Sequence, residues 1–176
     1  AATERGPGRG YVSALPEGDV NPWKTVMGWD PGAKGAICAL LLDNRGQRIG
    51  VESIRFSQST DSDVVAFVQE FRPDFTVLER VNSHKQGRAS AFKFGGSYGF
   101  AQGVLLASGL PFELVTPQKW QKPYSVPKSE GPQRKRELKA IAQREFPGIK
   151  FVLEDADAHL IAEFARRMFV ARARLK

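Results

Sequence analysis

Apolar runs of strand length alternate with turn signals in the first third of the chain. Residues 24–30 (KTVMGWD) and 35–43 (GAICALLLD) are separated by the turn sequence PGAK, which predicts a β-hairpin. A second turn, DNRGQ, leads into a rougher alternation of apolar and polar residues over 47–56. The pattern therefore predicts three consecutive antiparallel strands.

Helical spacing of apolar residues takes over farther along the chain. Residues 61–71 place several large apolar side chains on one helical face, with Ser59, Thr60 or Asp61 available as the cap. The remaining predicted elements are a strand over 74–80, a helix over 89–108, a strand over 110–115, a short helix from 116, and helices over 133–146 and 156–174. This order predicts an α/β fold in which helices flank a mixed five-stranded sheet.

Length and composition favour one domain with a polyanionic partner. We expect a flexible N-terminal arm over residues 1–22, which are rich in Gly, Pro and charge, and one domain over 23–176. The chain has 26 Lys and Arg against 19 Asp and Glu, a net charge of +7, which favours nucleic acid or an acidic membrane surface over a merely soluble basic surface. The single Cys38 excludes disulfides and thiolate zinc sites, and no apolar stretch is long enough to span a bilayer. We expect a soluble, intracellular protein.

Three acids lie where a carboxylate would either point to one edge of the predicted sheet or be buried at a cost in free energy. Asp30 and Glu79 end predicted strands, and they share an edge if those strands are adjacent and parallel. Asp157 lies on the apolar face of the last helix, where an unpaired carboxylate costs on the order of several kcal/mol. Alternatives are a turn role for Asp30, an ion pair of Glu79 with Arg80, and a helix N-terminal role for Asp157. Together the three acids predict a hard divalent cation such as Mg²⁺.

Basic and aromatic residues crowd the segments that should flank this edge. The candidate DNA contacts are Lys85, Arg88, Lys93, Lys119, Lys122, Lys128, Arg134, Lys135, Arg136 and Phe92. Phe92 and Phe94 are candidates for stacking on bases, and a place in the core is the alternative. His84 and His159 are interpreted as ordinary polar residues. Gly95, Gly99 and Gly103 form a helical stripe that needs a close contact, from the sheet or from a partner helix at a dimer interface.

Five motifs occur in a fixed order between about Val26 and Arg167: GWDPGAKGAI, TVLERV, KQGRASAFKFGGSYGFAQGVL, GLPFELVTPQKWQK and DADAHLIAEFARR. With them the chain resembles the RuvC-like Holliday junction resolvases, especially the branch found in phages and plastids. The resemblance implies a ribonuclease H-like fold, a homodimer, and Mg²⁺-dependent, symmetric nicking of four-way DNA junctions. It assigns catalytic and metal-binding roles to Asp30, Glu79 and Asp157, and it implies neither a small-molecule cofactor nor a membrane partner.

A fourth acidic ligand is less regular in this sequence. Relatives place an Asp or His three or four positions before the last Asp, where this chain has Leu153 and Glu154, with Asp155 beside them. Glu154 is the first candidate for this catalytic and metal-binding role, and Asp155 is the second. The implied cofactor is two Mg²⁺ ions per active site, with Mn²⁺ as a substitute.

The expected location follows the expected substrate. We expect a nucleoid-associated protein in a bacterial or phage-host cytoplasm, or in a plastid or mitochondrion if residues 1–22 follow a removed transit peptide.

Three other functions remain open at this stage. One is an actin-like or sugar-kinase phosphotransferase, whose phosphate loop has the same order of strand, Asp, x, Gly and hairpin. Such folds need two domains of this kind, and this chain has length for one. The second is a junction-binding protein without catalytic activity. The third is a nuclease of the same fold that cuts flaps, RNA hybrids or other branched DNA.

Overall fold

The computed structural model describes residues 23–80 and 88–174, with side chains from residue 92 onward after the gap. The predicted flexible arm over residues 1–22 lies outside the described residues, and so do His84 and Lys85. For Arg88 only the helical backbone is described. No described helix combines the length and the apolar character that crossing a membrane requires.

A mixed five-stranded sheet forms the centre of the molecule. Its strands are β1 (Lys24–Asp30), β2 (Ala36–Leu42), β3 (Arg48–Arg55), β4 (Phe75–Glu79) and β5 (Phe112–Val115), arranged in the order β3-β2-β1-β4-β5. The first three strands are antiparallel, whereas β4 pairs parallel with β1 and β5 pairs parallel with β4. The predicted sheet, with its antiparallel start and its parallel continuation, is confirmed.

Within the described residues, five α-helices flank this sheet: α1 (Asp61–Phe71), α2 (Arg88–Ala107), α3 (Pro117–Gln121), α4 (Gly131–Glu145) and α5 (Ala156–Ala173). Thr60 is the cap of α1, because its side chain accepts from the Asp63 backbone N–H while the Asp63 carboxylate accepts from the Thr60 N–H. Between α3 and α4, Lys122–Tyr124 form a short 3₁₀ turn. The helices therefore lie where the hydrophobic spacing predicts them.

The two faces of β1 belong to two separate apolar clusters. Val26 packs in the cluster that contains α5, and Met27 and Trp29 pack in the cluster that contains α1 and α2. Between them, Gly28 faces α5 so closely that a Cβ would lie 2.2 Å from the backbone nitrogen of Ala162. Since alternate strand residues share a face, Asp30 projects to the same side as Gly28 and α5.

Candidate active site

Asp30, Glu79 and Asp157 come together at one edge of the sheet. The register pairs Trp29 with Leu78, so that Asp30 and Glu79 are the next residues of two adjacent parallel strands. Asp157 lies in the first turn of α5, the helix that packs on β1. All three side chains are buried, with exposures of 8%, 7% and 6%. The predicted convergence of strands and helix is therefore present in the fold.

Burial and mutual repulsion make negative charge costly at these acids. Burial raises the pKa of Asp30 to about 6, with a further rise from the Asp157 charge, while Lys135 and the Gly32 N–H lower it. Burial raises the pKa of Glu79 to about 8, and the Asp30 charge adds to the rise, although a hydrogen bond from Trp120 lowers it. The site therefore favours any group that brings positive charge.

Lys135 is the cation that the structure brings to these acids. Its ammonium group, from α4, forms a hydrogen-bonded ion pair with Oδ2 of Asp157. Burial works to lower the pKa of Lys135, but attraction to Asp157, Asp30 and Glu79 outweighs it and the pKa is raised. The other oxygen of Asp157, Oδ1, is buried without a hydrogen-bond partner among the described residues.

Trp120 is a contact of the acids that the sequence motif did not single out. The indole is fully buried, and its Nε1–H donates to Oε1 of Glu79 at 2.8 Å. A buried indole N–H requires an acceptor, which is the signal that could have pointed to this role within the basic turn TPQKW. The basic turn thus supplies an internal partner for the site as well as exposed lysines.

Glu154 and Asp155 have other partners. The Glu154 carboxylate accepts from the Ser57 hydroxyl at 2.6 Å. The Asp155 carboxylate accepts from the Val152 N–H at 3.1 Å, and burial raises its pKa. His159 is buried, with Nδ1 lying 2.7 Å from the Asp155 carbonyl oxygen. Neither acid forms a hydrogen bond with the three converging carboxylates, and their assignment as further ligands stays a prediction.

The donor chemistry of the site suits a hard divalent cation. Across residues 23–80 and 88–174, no group of three or more His, Cys, Asp or Glu side chains is arranged so that it could already hold a metal ion. The converging groups are nevertheless all carboxylates, which Mg²⁺ prefers over the nitrogen and sulfur donors of zinc sites. The Oδ1 atom of Asp157, which has no hydrogen-bond partner among the described residues, is available as a ligand. The side chain of Lys135, which pairs with Oδ2, is 46% exposed and can move toward solvent. The residues therefore fit a cation.

The predicted DNA contacts differ in their surroundings. The side chains that are exposed are Lys93, Lys119, Lys122, Lys128, Lys135, Arg136 and Phe92. Phe92 is 85% exposed, so the alternative that placed it in the core is wrong, whereas Phe94 is partly buried and stacks on Tyr98. Arg134 is engaged internally, because it donates to the Gln121 side chain and to the Ser129 carbonyl oxygen at 3.2 Å.

No family model and no curated protein matches the sequence. Among solved structures, RuvC of Thermus thermophilus in complex with a Holliday junction substrate superimposes with a TM-score of 0.58 at 18% identity, covering 85% of this chain and 96% of that one. The chain has a RuvC-like fold. This fold, with its mixed sheet, is the one that the motifs predicted.

Two further solved structures share similar coverage. A second Thermus thermophilus RuvC structure has a TM-score of 0.56 at 18% identity, with 85% of this chain and 96% of that chain covered. The Fowlpox virus resolvase bound to substrate Holliday junction DNA has a TM-score of 0.49 at 13% identity, covering 86% of this chain and 99% of that one. The coverage by the two RuvC structures shows that the RuvC-like fold accounts for most of the present chain.

Proposed function

We propose that this chain is a Holliday junction resolvase, an endonuclease that makes symmetric, Mg²⁺-dependent nicks in four-way DNA junctions. The observation that carries the proposal is the meeting of Asp30, Glu79 and Asp157, from β1, β4 and α5, at one buried edge of a RuvC-like fold. One solved protein of this fold, RuvC of Thermus thermophilus, is in complex with a Holliday junction substrate. DNA as substrate would place the protein in a nucleoid, bacterial or organellar.

The three carboxylates would hold the metal ions in this proposal. Asp30, Glu79 and Asp157 would supply oxygen ligands, and Glu154 or Asp155 would complete the set after leaving the partners described above. Two bound Mg²⁺ ions, or Mn²⁺ in their place, would activate a water molecule and stabilise the leaving oxygen of the phosphodiester. The chain itself would orient the ligands and keep bulk water from the site through the burial of all three acids.

Exposed cations beside the site would bind the DNA backbone. Lys119 and Lys122 lie on α3 and the turn after it, the segment whose Trp120 contacts Glu79, so phosphates bound there would lie near the acids. Lys135 would meet a phosphate directly at the acids, because its ammonium already pairs with Asp157. Phe92, exposed on α2, would stack on a base of the junction.

We also propose that the protein is a homodimer through α2. Among the described residues, a Cβ at Gly95, Gly99 or Gly103 would meet nothing within 4 Å, so the sheet does not supply the close contact that the glycine stripe requires. Leu106 on the same helix is 67% exposed. A second copy of α2 would cover these positions and would hold two active sites at a fixed separation, which paired nicks require.

Cleavage of synthetic four-way junctions tests the proposal. The wild-type chain, Asp30→Asn and the control Asp61→Asn, which alters an exposed carboxylate in the first turn of α1, are incubated with Mg²⁺ and labelled junctions. We expect symmetric nicks with the wild type and the control, no nicks with Asp30→Asn, and junction binding by all three in EDTA. Binding without nicks by the wild type would instead indicate a non-catalytic junction protein. Faster cutting of flaps or RNA hybrids would indicate a nuclease for another substrate.

A further inference from the structure

The carboxylate of Glu79 is held by a single donor. Among the residues that the structure describes, its one hydrogen bond comes from Nε1–H of Trp120 to Oε1, at 2.8 Å. The donor is fully buried and the acceptor is 7% exposed, so water does not compete freely for this bond. The Oε1 atom is thereby tied to α3, while Oε2 accepts no hydrogen bond from the part of the chain that the structure describes.

The position of Trp120 is itself well determined. Pro117 is the first residue of α3, and the backbone N–H of Trp120 donates to the Thr116 carbonyl oxygen at 3.2 Å. The indole also packs edge-on against Tyr124, with ring centroids 6.4 Å apart. The Tyr124 hydroxyl in turn donates to the Leu160 carbonyl oxygen at 2.7 Å, in the turn of α5 that follows Asp157. Trp120 is therefore a rigid donor rather than a mobile one.

We propose that Trp120 is a positioning residue that sets the orientation of Glu79 for cation binding, with Oε1 held by the indole and Oε2 presented to the metal. The inference rests on the proposed function, since it assumes that Glu79 is a ligand. Loss of the N–H would leave a buried carboxylate free to rotate about its terminal bond, and the ligand would have to be ordered again on each binding event. Partners of this kind typically contribute about tenfold or more to metal affinity.

Direct metal binding gives a readout that does not depend on cleavage. Mn²⁺ is titrated into the DNA-free protein and followed by electron paramagnetic resonance, for the wild type, Trp120→Phe and Tyr124→Phe. We expect Trp120→Phe to weaken Mn²⁺ binding about tenfold, because phenylalanine keeps an aromatic ring and removes the donor. Tyr124→Phe is the matched control, since it keeps the ring that packs on Trp120 and removes a buried hydrogen bond to Leu160 that involves neither Trp120 nor Glu79. It should lower thermal stability and leave Mn²⁺ affinity unchanged.

The Mg²⁺ dependence of cleavage is a second, independent measurement that distinguishes a positioning role of Trp120 from a merely structural one. With Trp120→Phe the Mg²⁺ concentration for half-maximal rate should rise, while the rate at saturating Mg²⁺ approaches that of the wild type. A merely structural role would lower thermal stability in both variants and shift the Mg²⁺ requirement in neither. Wild-type Mn²⁺ affinity in a folded Trp120→Phe protein would overturn the inference.

Glu79→Gln separates this inference from the proposed function. If Glu79→Gln loses Mn²⁺ binding and Trp120→Phe does not, the positioning role is wrong and the metal site stands. If Glu79→Gln binds Mn²⁺ like the wild type, both the metal site and the positioning role are wrong.

A measurement on the unmodified protein guards against a variant that does not fold. The chain has three tryptophans, whose indole N–H resonances can be followed by NMR. Addition of Mg²⁺ should shift the Trp120 resonance, because its acceptor becomes a ligand, and should leave that of Trp23 as an internal reference. A Trp120 resonance that does not move at saturating Mg²⁺ would contradict the proposal.

Discussion

Replacing Glu79 by Gln should stabilise the metal-free protein at alkaline pH while abolishing cleavage. The substitution keeps the shape of the side chain and an oxygen that can accept from the Trp120 indole, so the change is confined to charge. In the wild type the buried carboxyl has a pKa of about 8, raised by burial and then by the neighbouring Asp30 charge from its ordinary 4.5. The fold therefore favours the protonated form of this acid.

The pH dependence follows from the direction of that change. Below pH 4.5 the folded and unfolded chains both carry the proton on Glu79, and the residue contributes nothing to the pH dependence. Between pH 4.5 and about 8 the folded chain keeps a proton that the unfolded chain releases, so the free energy of unfolding falls as pH rises. Above pH 8 the loss is complete.

The magnitude can be worked from the same quantities. The rise from 4.5 to about 8, at about 1.36 kcal/mol for each pKa unit, corresponds to on the order of 5 kcal/mol. Relaxation of the structure and entry of water around the charge reduce this cost, so we expect Glu79→Gln to be more stable by about 2–4 kcal/mol at pH 9. The two proteins should converge toward pH 5.

Urea unfolding from pH 5 to pH 9 in EDTA measures the difference directly, because contributions from all other titrating groups largely cancel between wild type and variant. Glu130→Gln, at an exposed position before α4 whose side chain makes no capping hydrogen bond, is the control and should follow the wild type. At pH 8, added Mg²⁺ should stabilise the wild type and leave Glu79→Gln unaffected. Parallel stability curves for wild type and Glu79→Gln across this range would refute the reasoning.

Three further predictions concern packing, DNA contact and assembly. Gly28→Ala should destabilise the fold by about 3 kcal/mol or more in urea unfolding, because its Cβ would lie 2.2 Å from the Ala162 nitrogen; near-wild-type stability would contradict the close packing of α5 on β1. Combined replacement of Lys119 and Lys122 by Ala should weaken junction binding and lower the slope of log affinity against log salt by up to about 2 in gel-shift titrations, and an unchanged slope would remove both from the DNA contact. Leu106→Glu should shift the protein toward monomer in light scattering, and an unchanged mass would place any dimer interface elsewhere.

Local sequence patterns were sufficient to predict most of the fold. The hairpin of β1 and β2 follows from two apolar runs joined by PGAK, and the crossover through α1 between β3 and β4 is enough to make β4 run parallel to β1. Strand alternation then directs Asp30 and Glu79 to one edge, and helical spacing directs Asp157 inward. These inferences succeed because each depends on residues within a few positions of one another in the chain.

Other features depend on distances that no local pattern encodes. The sequence predicted Lys135 as one of several phosphate contacts, and only the packing of α4 beside α5 pairs it with Asp157. The same holds for Ser57, whose hydroxyl donates to Glu154, the first candidate for the fourth acidic ligand, across 97 positions of the chain.

The sequence by itself determined the strands, the helices and the three acids, because side-chain periodicity reports which face of an element is buried. Only the tertiary structure decided which donor holds each acid. Trp120 reaches Glu79 across 41 positions of chain, and such a partner is chosen by the three-dimensional packing of α3 rather than by any local spacing.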